Sequence, residues 1–361
     1  MHALAALALV AALGACAATP AAPPEHCGPP PTVRFEPAGE VRAVVVALHG
    51  FNDRKAAFAD FGAAARNAGV RVVAYDQAGF GARASRGRWP GTKRLVEDLH
   101  SAVARARAET PGRAVFVLGG SMGAAVATAA LARPDAPPVA GVVLAAPAAW
   151  GGERLNPLLR ASLWLTATVA PGLELSARGL SIQASDNVAM LRALGRDPLY
   201  LPTATAANVR GLVRLMDEAL AVAPELDLPR LVLIGEKDEV VPEAAYDALV
   251  ARLAGPGCTV IRYPEGWHLL LRDHQRGRVF ADVLTWIAGR PPPSGNARAC
   301  AQEPAPVQAS GAPGRSSASL IQRAVSSARS PARPETVTGA SPAIARKKLS
   351  ISRASASLGS N

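Results

Sequence analysis

Short runs of apolar residues alternate with longer stretches of mixed polarity over most of the chain, from Val41 to Ala288. The runs are apolar at consecutive positions rather than at every second one, which is typical of strands buried on both faces of a parallel sheet. We predict such strands at Ala43–Leu48, Val70–Tyr75, Ala114–Leu118, Val139–Ala145, Leu231–Ile234 and Cys258–Tyr263. Helices are predicted at Lys55–Ala68, Thr92–Glu109, Met122–Arg133, Pro242–Leu253 and Asp273–Ala288. This alternation predicts an α/β fold with a doubly wound, mostly parallel sheet.

One interval, residues 147–228, interrupts the alternation. It contains no clear strand and carries helical patterns such as Asn156–Val169 and Val209–Val222. In a doubly wound fold, an insertion at this point lies above the carboxyl ends of the strands, where ligands bind. We therefore predict a helical cap over the site.

The first residues have the pattern of a targeting segment. Ala3–Leu13 is an uninterrupted apolar run that is too short to cross a bilayer but has the length of a signal-peptide core. It leads into Leu-Gly-Ala-Cys, which resembles the cleavage motif of bacterial lipoproteins. The pattern predicts removal of residues 1–15 and a lipid anchor on Cys16; an ordinary secretory signal is the alternative. Ala17, rather than Asp, fits sorting within the bacterial cell envelope to an outer membrane, facing the periplasm.

The two flanks of the alternating region have compositions that do not support a packed core. Residues 16–31 are predicted to be a Pro- and Ala-rich tether, residues 32–290 the globular domain, and residues 291–361 a disordered basic tail. The tail holds nine Lys and Arg against two Asp and Glu, so +7 of the formal charge of +11 lies there and +4 remains elsewhere. A nucleic-acid partner is therefore not expected, whereas a tail that binds an anionic surface and a misread reading frame stay open.

The other cysteines bear on disulfide pairing and on metal binding. Cys27 and Cys300 flank the predicted domain and are the favoured pair in an oxidising compartment. Three unpaired thiols, with Cys258 inside a strand, are the alternative. The cysteines are too dispersed for zinc-ligand spacing, and the histidines do not cluster. Since no strand is followed by a phosphate- or dinucleotide-binding loop either, we expect no metal and no cofactor.

The clearest chemical signal is a glycine-rich turn between a predicted strand and a predicted helix. Val115–Leu118 runs into Gly-Gly-Ser-Met-Gly, a G-x-S-x-G pattern, and an alanine-rich helix follows. A sharp turn of this kind strains the serine backbone and exposes its hydroxyl above the sheet, while the glycines let neighbouring chain pass close by. Ser121 is therefore the predicted nucleophile.

The strand at Ala43–Leu48 ends in a second recognisable motif, His-Gly-Phe-Asn. Acyl transfer needs two backbone N–H groups aimed at the developing oxyanion. One usually comes from the loop after this strand, and the other from the residue that follows the nucleophile. Phe51 and Met122 are the candidates.

A later strand end supplies the candidate acid. Leu231–Ile234 is followed by Gly-Glu-Lys-Asp-Glu, a loop with three carboxylates. We choose Asp238, because it lies where the loop would turn over the sheet edge just before the next helix. Glu236 and Glu239 are expected to be solvated.

The candidate base follows the last predicted strand, in Tyr-Pro-Glu-Gly-Trp-His. His268 can reach the serine from this loop while Asp238 holds its other nitrogen and sets the tautomer. His274 falls inside the next predicted helix and is expected to be a surface residue.

The motifs HGFNDR, AYDQAGFG, GGSMG, GEKDEVVP and EGWHLLLRD follow one another along the chain. Over Val41–Ala288, the chain resembles the monoglyceride lipase and serine aminopeptidase branch of the α/β-hydrolases. The resemblance implies a catalytic triad and two oxyanion-hole residues, which are Ser121, Asp238 and His268, with Phe51 and Met122.

The same resemblance bears on His49 and on one departure from the family pattern. Family members carry the nucleophile, acid and histidine in that order, so His49, which precedes Ser121, is expected to fix its loop by hydrogen bonds. Ala78 and Phe80 stand where the YDQRGHG pattern has Arg and His. The departure concerns local loop contacts.

Three function classes follow from these observations. The first is an esterase or lipase that forms an acyl-enzyme on a small-molecule acyl ester such as a monoacylglycerol or lysophospholipid, with membrane contact through the lipid anchor. The second is a peptidase or amidase with the same triad. The third, a non-catalytic binding protein, is disfavoured by the intact triad. An apolar stripe in the cap suits an acyl chain, although it could also pack onto the domain; it comprises Leu155, Leu158, Leu159, Leu163, Trp164 and Leu165.

Overall fold

The computed structural model describes residues 29–176 and 182–300. Its centre is an eight-stranded sheet with the strand order β1-β3-β2-β4-β5-β8-β9-β10, and a separate two-stranded antiparallel sheet is formed by β6 and β7. The strands are β1 (Thr32–Phe35), β2 (Ala43–Leu48), β3 (Val70–Tyr75), β4 (Ala114–Gly120), β5 (Gly141–Ala145), β6 (Glu174–Leu175), β7 (Ala204–Thr205), β8 (Arg230–Gly235), β9 (Cys258–Tyr263) and β10 (Ala297–Ala299).

The α-helices between these strands cover both faces of the sheet. They are α1 (Ala59–Asn67), α2 (Thr92–Glu109), α3 (Met122–Leu131), α4 (Pro157–Val169), α5 (Val188–Arg196), α6 (Ala206–Val222), α7 (Glu243–Leu253) and α8 (Arg276–Ile287). Along β2, Val44, Val46 and Leu48 belong to the apolar core cluster on the side of α2, α3 and α7, whereas Ala43, Val45 and Ala47 belong to the cluster on the side of α1 and α8. Alternate side chains of a strand point to opposite faces, so a strand covered on both sides is apolar at every position.

The six central strands, from β3 to β9 in the sheet order, run parallel to one another. The edge strands β1 and β10 pair antiparallel with β3 and β9. The predicted doubly wound, mostly parallel α/β sheet is therefore confirmed. Its carboxyl ends lie together at one edge, which is where such folds carry their sites.

The predicted cap interval lies between β5 and β8. It contains α4, α5, α6 and the two-stranded sheet β6-β7. Helix α6 packs against α3 of the sheet domain and against α4. Within the described residues, no helix has both the length and the apolar character that a membrane span requires.

Two predictions about the carboxyl-terminal region are wrong. The disordered tail was expected from residue 291, but residues 297–299 form β10, which pairs with β9. The favoured pair Cys27–Cys300 is excluded, because Cys300 forms a disulfide with Cys258. Strand β10 places Cys300 beside the first residue of β9, with a Cα–Cα distance of 5.4 Å. Cys16, Cys27, the predicted signal and tether up to residue 28 and the tail beyond residue 300 lie outside the described residues.

Candidate active site

Ser121 lies between the end of β4 and the start of α3, as the sequence predicts. Its backbone has φ +50° and ψ −114°, a strained conformation for a residue with a side chain. A Cβ atom on Gly119 would lie 2.4 Å from the carbonyl oxygen of Gly123, and one on Gly123 would lie 2.2 Å from that of Leu48. The turn can therefore close only with glycine at both positions, and it holds Ser121 at the edge where the strands end.

His268 joins Ser121 to Asp238. Its Nδ1 lies 2.7 Å from Oδ2 of Asp238, and its Nε2 lies 3.0 Å from the Ser121 hydroxyl. The side chains of His268 and Asp238 are only 7% and 2% exposed. An ionised carboxylate can only accept, so Nδ1 carries the proton and Nε2 accepts from the serine. This is the geometry of a serine activated by a base.

Asp238 is held in the turn after β8 by several donors. The N–H groups of Val240 and Val241 donate to its Oδ1 over 2.7 and 3.0 Å, and the Tyr246 hydroxyl donates to its Oδ2. Burial acts to raise the pKa of Asp238, but the proximity of His268 and these hydrogen bonds outweigh it, so the pKa lies below its usual value. The acid is therefore ionised at neutral pH.

The other carboxylates and the other histidine of this region lie outside the hydrogen-bonded chain. Glu236, Glu239 and His274 are exposed. Glu239 is not merely solvated, because it accepts the backbone N–H of Gln183 from the cap over 2.6 Å.

The loop after β2 runs beside the serine. A Cβ atom on Gly50 would lie 3.4 Å from the Cβ of Ser121. Within the described part of the chain, the backbone N–H groups of Phe51 and Met122 donate no hydrogen bond to another protein group. Both donors are thus free to bind an oxyanion near Ser121.

His49 is fully buried and holds the loop that it begins. Its Nε2 accepts the Gln77 N–H over 3.0 Å, and its Nδ1 donates to the Gly50 carbonyl over 2.8 Å. Burial lowers the pKa of His49, so the ring is neutral in this arrangement. Phe80 packs edge-on against both His49 and Phe51. The structural role expected for His49 is confirmed, and Phe80 supplies loop contacts of its own.

A cavity of about 600 Å³ opens over Ser121 and His268. Its polar lining includes Asp53 and Arg272, which form an ion pair at 2.7 Å. Much of the remaining lining is apolar and includes Trp150, Ile182, Leu191, Leu194, Leu212 and Met216 from the cap interval.

The cap residues that line this cavity are not the predicted ones. Helices α5 and α6 supply Leu191, Leu194, Leu212 and Met216, whereas the predicted stripe lies on and just before α4. None of that stripe lines the cavity: Leu155 and Leu159 are buried in the protein, and Leu158, Trp164 and Leu165 are exposed on its surface. A helix that is apolar on several sides does not show from sequence which side faces inward.

Sequence reasoning also missed Tyr246 and Asp273. Tyr246 is buried in the first turn of α7, the helix that follows the acid loop, and its hydroxyl binds Asp238. Asp273 is fully buried five residues after His268. A polar residue among core positions near a candidate site was the signal for each. The described residues contain no group of three or more potential metal ligands.

Comparisons with known proteins agree with this fold. Residues 39–275 match the family described as serine aminopeptidase, S33. The chain is 29% identical over 259 residues to monoacylglycerol lipase of Mycolicibacterium smegmatis, covering 70% of this chain and 90% of that protein. It is 24% identical to human monoglyceride lipase over 278 residues, covering 73% and 88%.

A solved structure of similar fold is the monoacylglycerol lipase of Paleococcus ferrophilus, with a TM-score of 0.61 at 20% identity, covering 72% of this chain and 98% of that one. A monoglyceride lipase from Saccharomyces cerevisiae gives a TM-score of 0.62 at 17% identity, covering 72% and 91%. With the family match over residues 39–275, these comparisons show that the chain belongs to the serine aminopeptidase S33 family of α/β-hydrolases, in its monoglyceride lipase-like branch.

Proposed function

We propose that this chain is a serine hydrolase that cleaves carboxylic esters of single-chain lipids, such as a monoacylglycerol or a lysophospholipid, or of small acyl groups. The observation that carries the proposal is the hydrogen-bonded chain from Asp238 through His268 to Ser121 at the base of a largely apolar cavity. The lipase names of its relatives support an ester as the bond that is cleaved.

In the proposed mechanism, the Ser121 hydroxyl attacks the ester carbonyl while Nε2 of His268 takes its proton. The negative charge that forms on the carbonyl oxygen is bound by the N–H groups of Phe51 and Met122. Collapse of this intermediate breaks the bond to the alcohol, which leaves with the proton from His268, and Ser121 stays acylated. A water molecule then repeats the sequence, with His268 as base, and releases the carboxylic acid.

The cavity supports an acyl chain rather than a charged peptide. Its volume lies within the range of small-molecule sites, and its cap side is apolar. An aminopeptidase must bind the free ammonium of its substrate, for which an unpaired carboxylate is the natural partner. Asp53 is the one carboxylate among the described lining residues, and Arg272 already neutralises it. The alternative peptidase activity, which the family description keeps open, is therefore the weaker one.

The proposed triad is tested by turnover of p-nitrophenyl esters and aminoacyl anilides. Ser121→Ala and His268→Ala should each lower ester kcat by on the order of 10⁴-fold or more, and the double variant should add little, since the two residues act as one unit. Asp238→Asn should cost less than Ser121→Ala. Glu236→Gln is the matched control on the acid loop and should change kcat by less than about threefold, because its side chain is exposed. Equal damage by Glu236→Gln and Asp238→Asn would refute the assignment of the acid, and faster anilide than ester turnover would favour the peptidase.

We also propose that the protein is held on the bacterial envelope by a lipid on Cys16, as an outer-membrane protein facing the periplasm. The motif before Cys16 and the residue after it support this placement. Metabolic labelling with a palmitate analogue should mark the full-length protein. The proposal fails if the wild type is not labelled, or if Cys16→Ser is labelled equally.

A further inference from the structure

A short inner segment of the cap, residues 182–187, is attached to the segment that carries His268. We call residues 267–274 the histidine turn. Three hydrogen bonds join the two segments besides the one described below. Donor first, they are Leu269 N to Ala184 O at 2.9 Å, Asn187 Nδ2 to Arg272 O at 3.0 Å, and His274 N to Asp186 Oδ1 at 2.9 Å.

Asp273 lies at the centre of this attachment and is 0% exposed. Its Oδ1 accepts the hydroxyl of Ser185, a fully buried cap residue, over 2.6 Å. Its Oδ2 accepts the backbone N–H of Trp267 over 2.8 Å. Because Trp267 immediately precedes His268, one carboxylate bridges the cap and the backbone that positions the histidine.

Burying the carboxyl group of Asp273 costs free energy, which a turn held by local backbone hydrogen bonds alone would not incur. Within the described residues Asp273 forms no ion pair, and burial raises its pKa despite the hydrogen bonds from Ser185 and Trp267. An asparagine replaces one of the two acceptor oxygens by an NH2 group, which cannot accept from the Ser185 hydroxyl or from the Trp267 N–H. With asparagine at this position, at least one of the two hydrogen bonds must therefore be rearranged.

We propose that Asp273 is a positioning residue that couples the seating of the cap to the placement of His268 against Ser121. The inference rests on the proposed triad function. Asp273 does not contact the reacting atoms and acts by fixing the Trp267 N–H on one side and Ser185 on the other. If the bridge is lost, the histidine turn can shift while the Asp238 and Ser121 loops stay in place.

The test compares Asp273→Asn and Ser185→Ala in the full chain with Ser162→Ala. The Ser162 hydroxyl also lies in the cap, and within the described residues its hydrogen bond is to the carbonyl of Leu159 in its own helix, over 2.9 Å. For each variant, kcat and KM are measured on a short, soluble p-nitrophenyl ester. The His268 Nδ1 proton is followed by NMR as a downfield resonance, and melting temperature is recorded.

We expect Asp273→Asn to lower kcat by about tenfold or more with KM within about twofold, because a small misplacement of a catalytic group slows chemistry without weakening binding. The Nδ1 resonance should broaden or shift. Ser185→Ala should change kcat and the resonance in the same direction but less, and Ser162→Ala should match the wild type. A lower melting temperature with unchanged kcat and resonance would show a merely structural role and overturn the inference.

Ser185→Ala decides the matter if Asp273→Asn does not fold, since wild-type kcat and an unshifted resonance in Ser185→Ala would overturn the coupling. Ser121→Ala separates this inference from the proposed function. If Ser121→Ala keeps ester turnover, the triad itself is refuted. If Ser121→Ala is inactive while the Asp273 and Ser185 variants behave as wild type, only the coupling is refuted.

Discussion

The Tyr246 hydroxyl donates a hydrogen bond to Oδ2 of Asp238, the same oxygen that accepts the hydrogen bond from Nδ1 of His268. Burial and the adjacent carboxylate raise the pKa of Tyr246 well above its usual value, so the phenol stays protonated and acts as a donor. The N–H groups of Val240 and Val241 bind the other oxygen. Asp238 is thereby held at both oxygens before any substrate is present.

The change Tyr246→Phe should lower the free energy of unfolding by about 1–3 kcal/mol at pH 7, because it removes a hydrogen bond to a buried charge. The pKa of Asp238 is lower in the folded state than in the unfolded state. The stabilisation by the ionised carboxylate is therefore complete above the unfolded-state pKa and disappears as the pH falls through the folded-state pKa. The difference in unfolding free energy between wild type and Tyr246→Phe should thus shrink below about pH 4. Urea unfolding at several pH values measures this.

Turnover of Tyr246→Phe should fall by less than about tenfold, since the two backbone donors still hold Asp238. Tyr263→Phe is the matched control, because the Tyr263 hydroxyl donates to Asp282 on α8, over 2.8 Å. It should lower stability while leaving kcat unchanged. An equal loss of kcat in the two variants would contradict a specific role of the Tyr246 hydroxyl.

Asp76 should contribute strongly to stability at neutral pH. It is fully buried and accepts the Lys55 ammonium over 2.7 Å, with further hydrogen bonds from the N–H groups of Lys55 and Ala82. Removing one partner of a buried ion pair costs about 3–5 kcal/mol. Asp76→Asn should therefore lower the free energy of unfolding by about that amount. Burial acts to raise the pKa of Asp76, but these partners outweigh it and lower the pKa.

The lowered pKa of Asp76 determines how the effect of Asp76→Asn depends on pH. A carboxylate with a depressed folded-state pKa stabilises above its unfolded-state pKa of about 3.9, and the stabilisation is lost as pH falls further. The stability gap between wild type and Asp76→Asn should therefore narrow as the pH falls below about 4. A gap that is constant over this range in urea titrations would show that the charge of Asp76 is not the source.

The stable unit should end at Cys300 rather than at Arg290. A chain cut after Cys300 keeps β10 and the disulfide, which closes a separation of 42 residues, and its melting temperature should match the full chain under oxidising conditions. A chain cut after Arg290 loses both and should be less stable by about 2–4 kcal/mol. Cys258→Ala with Cys300→Ala separates the disulfide from the strand. Equal melting temperatures for the two truncations would refute a structural role for residues 291–300.

The outer face of α4 should promote action on membrane-bound substrate. Leu158, Leu165 and Val169 are 72%, 55% and 75% exposed, and their spacing of seven and four places them on one side of the helix. Changing all three to Ser should lower activity on ester lipids in anionic vesicles severalfold without changing turnover of a soluble ester. Val188→Ser, at an exposed apolar residue of α5, is the control. Parallel losses on both substrates would instead indicate a damaged cap.

The apolar pattern alone determined the six central parallel strands of the sheet and the edge at which the site lies. The bounds of β2, β3 and β9 agree with those predicted, because strands buried on both faces are marked by their own side chains. The carboxyl ends of parallel strands meet at one edge, so Ser121, Asp238 and His268 could be placed near one another without knowing any distance.

Only the tertiary structure decided what depends on pairing between distant segments. Strand β10 has no apolar run and exists because β9 offers an edge, and that pairing brings Cys300 to Cys258. Likewise, packing buried one apolar side of α4, left another exposed, and placed Ser185 against Asp273. Periodicity shows that a helix has an apolar side, but which neighbour covers that side is set by the free energy of the whole assembled core.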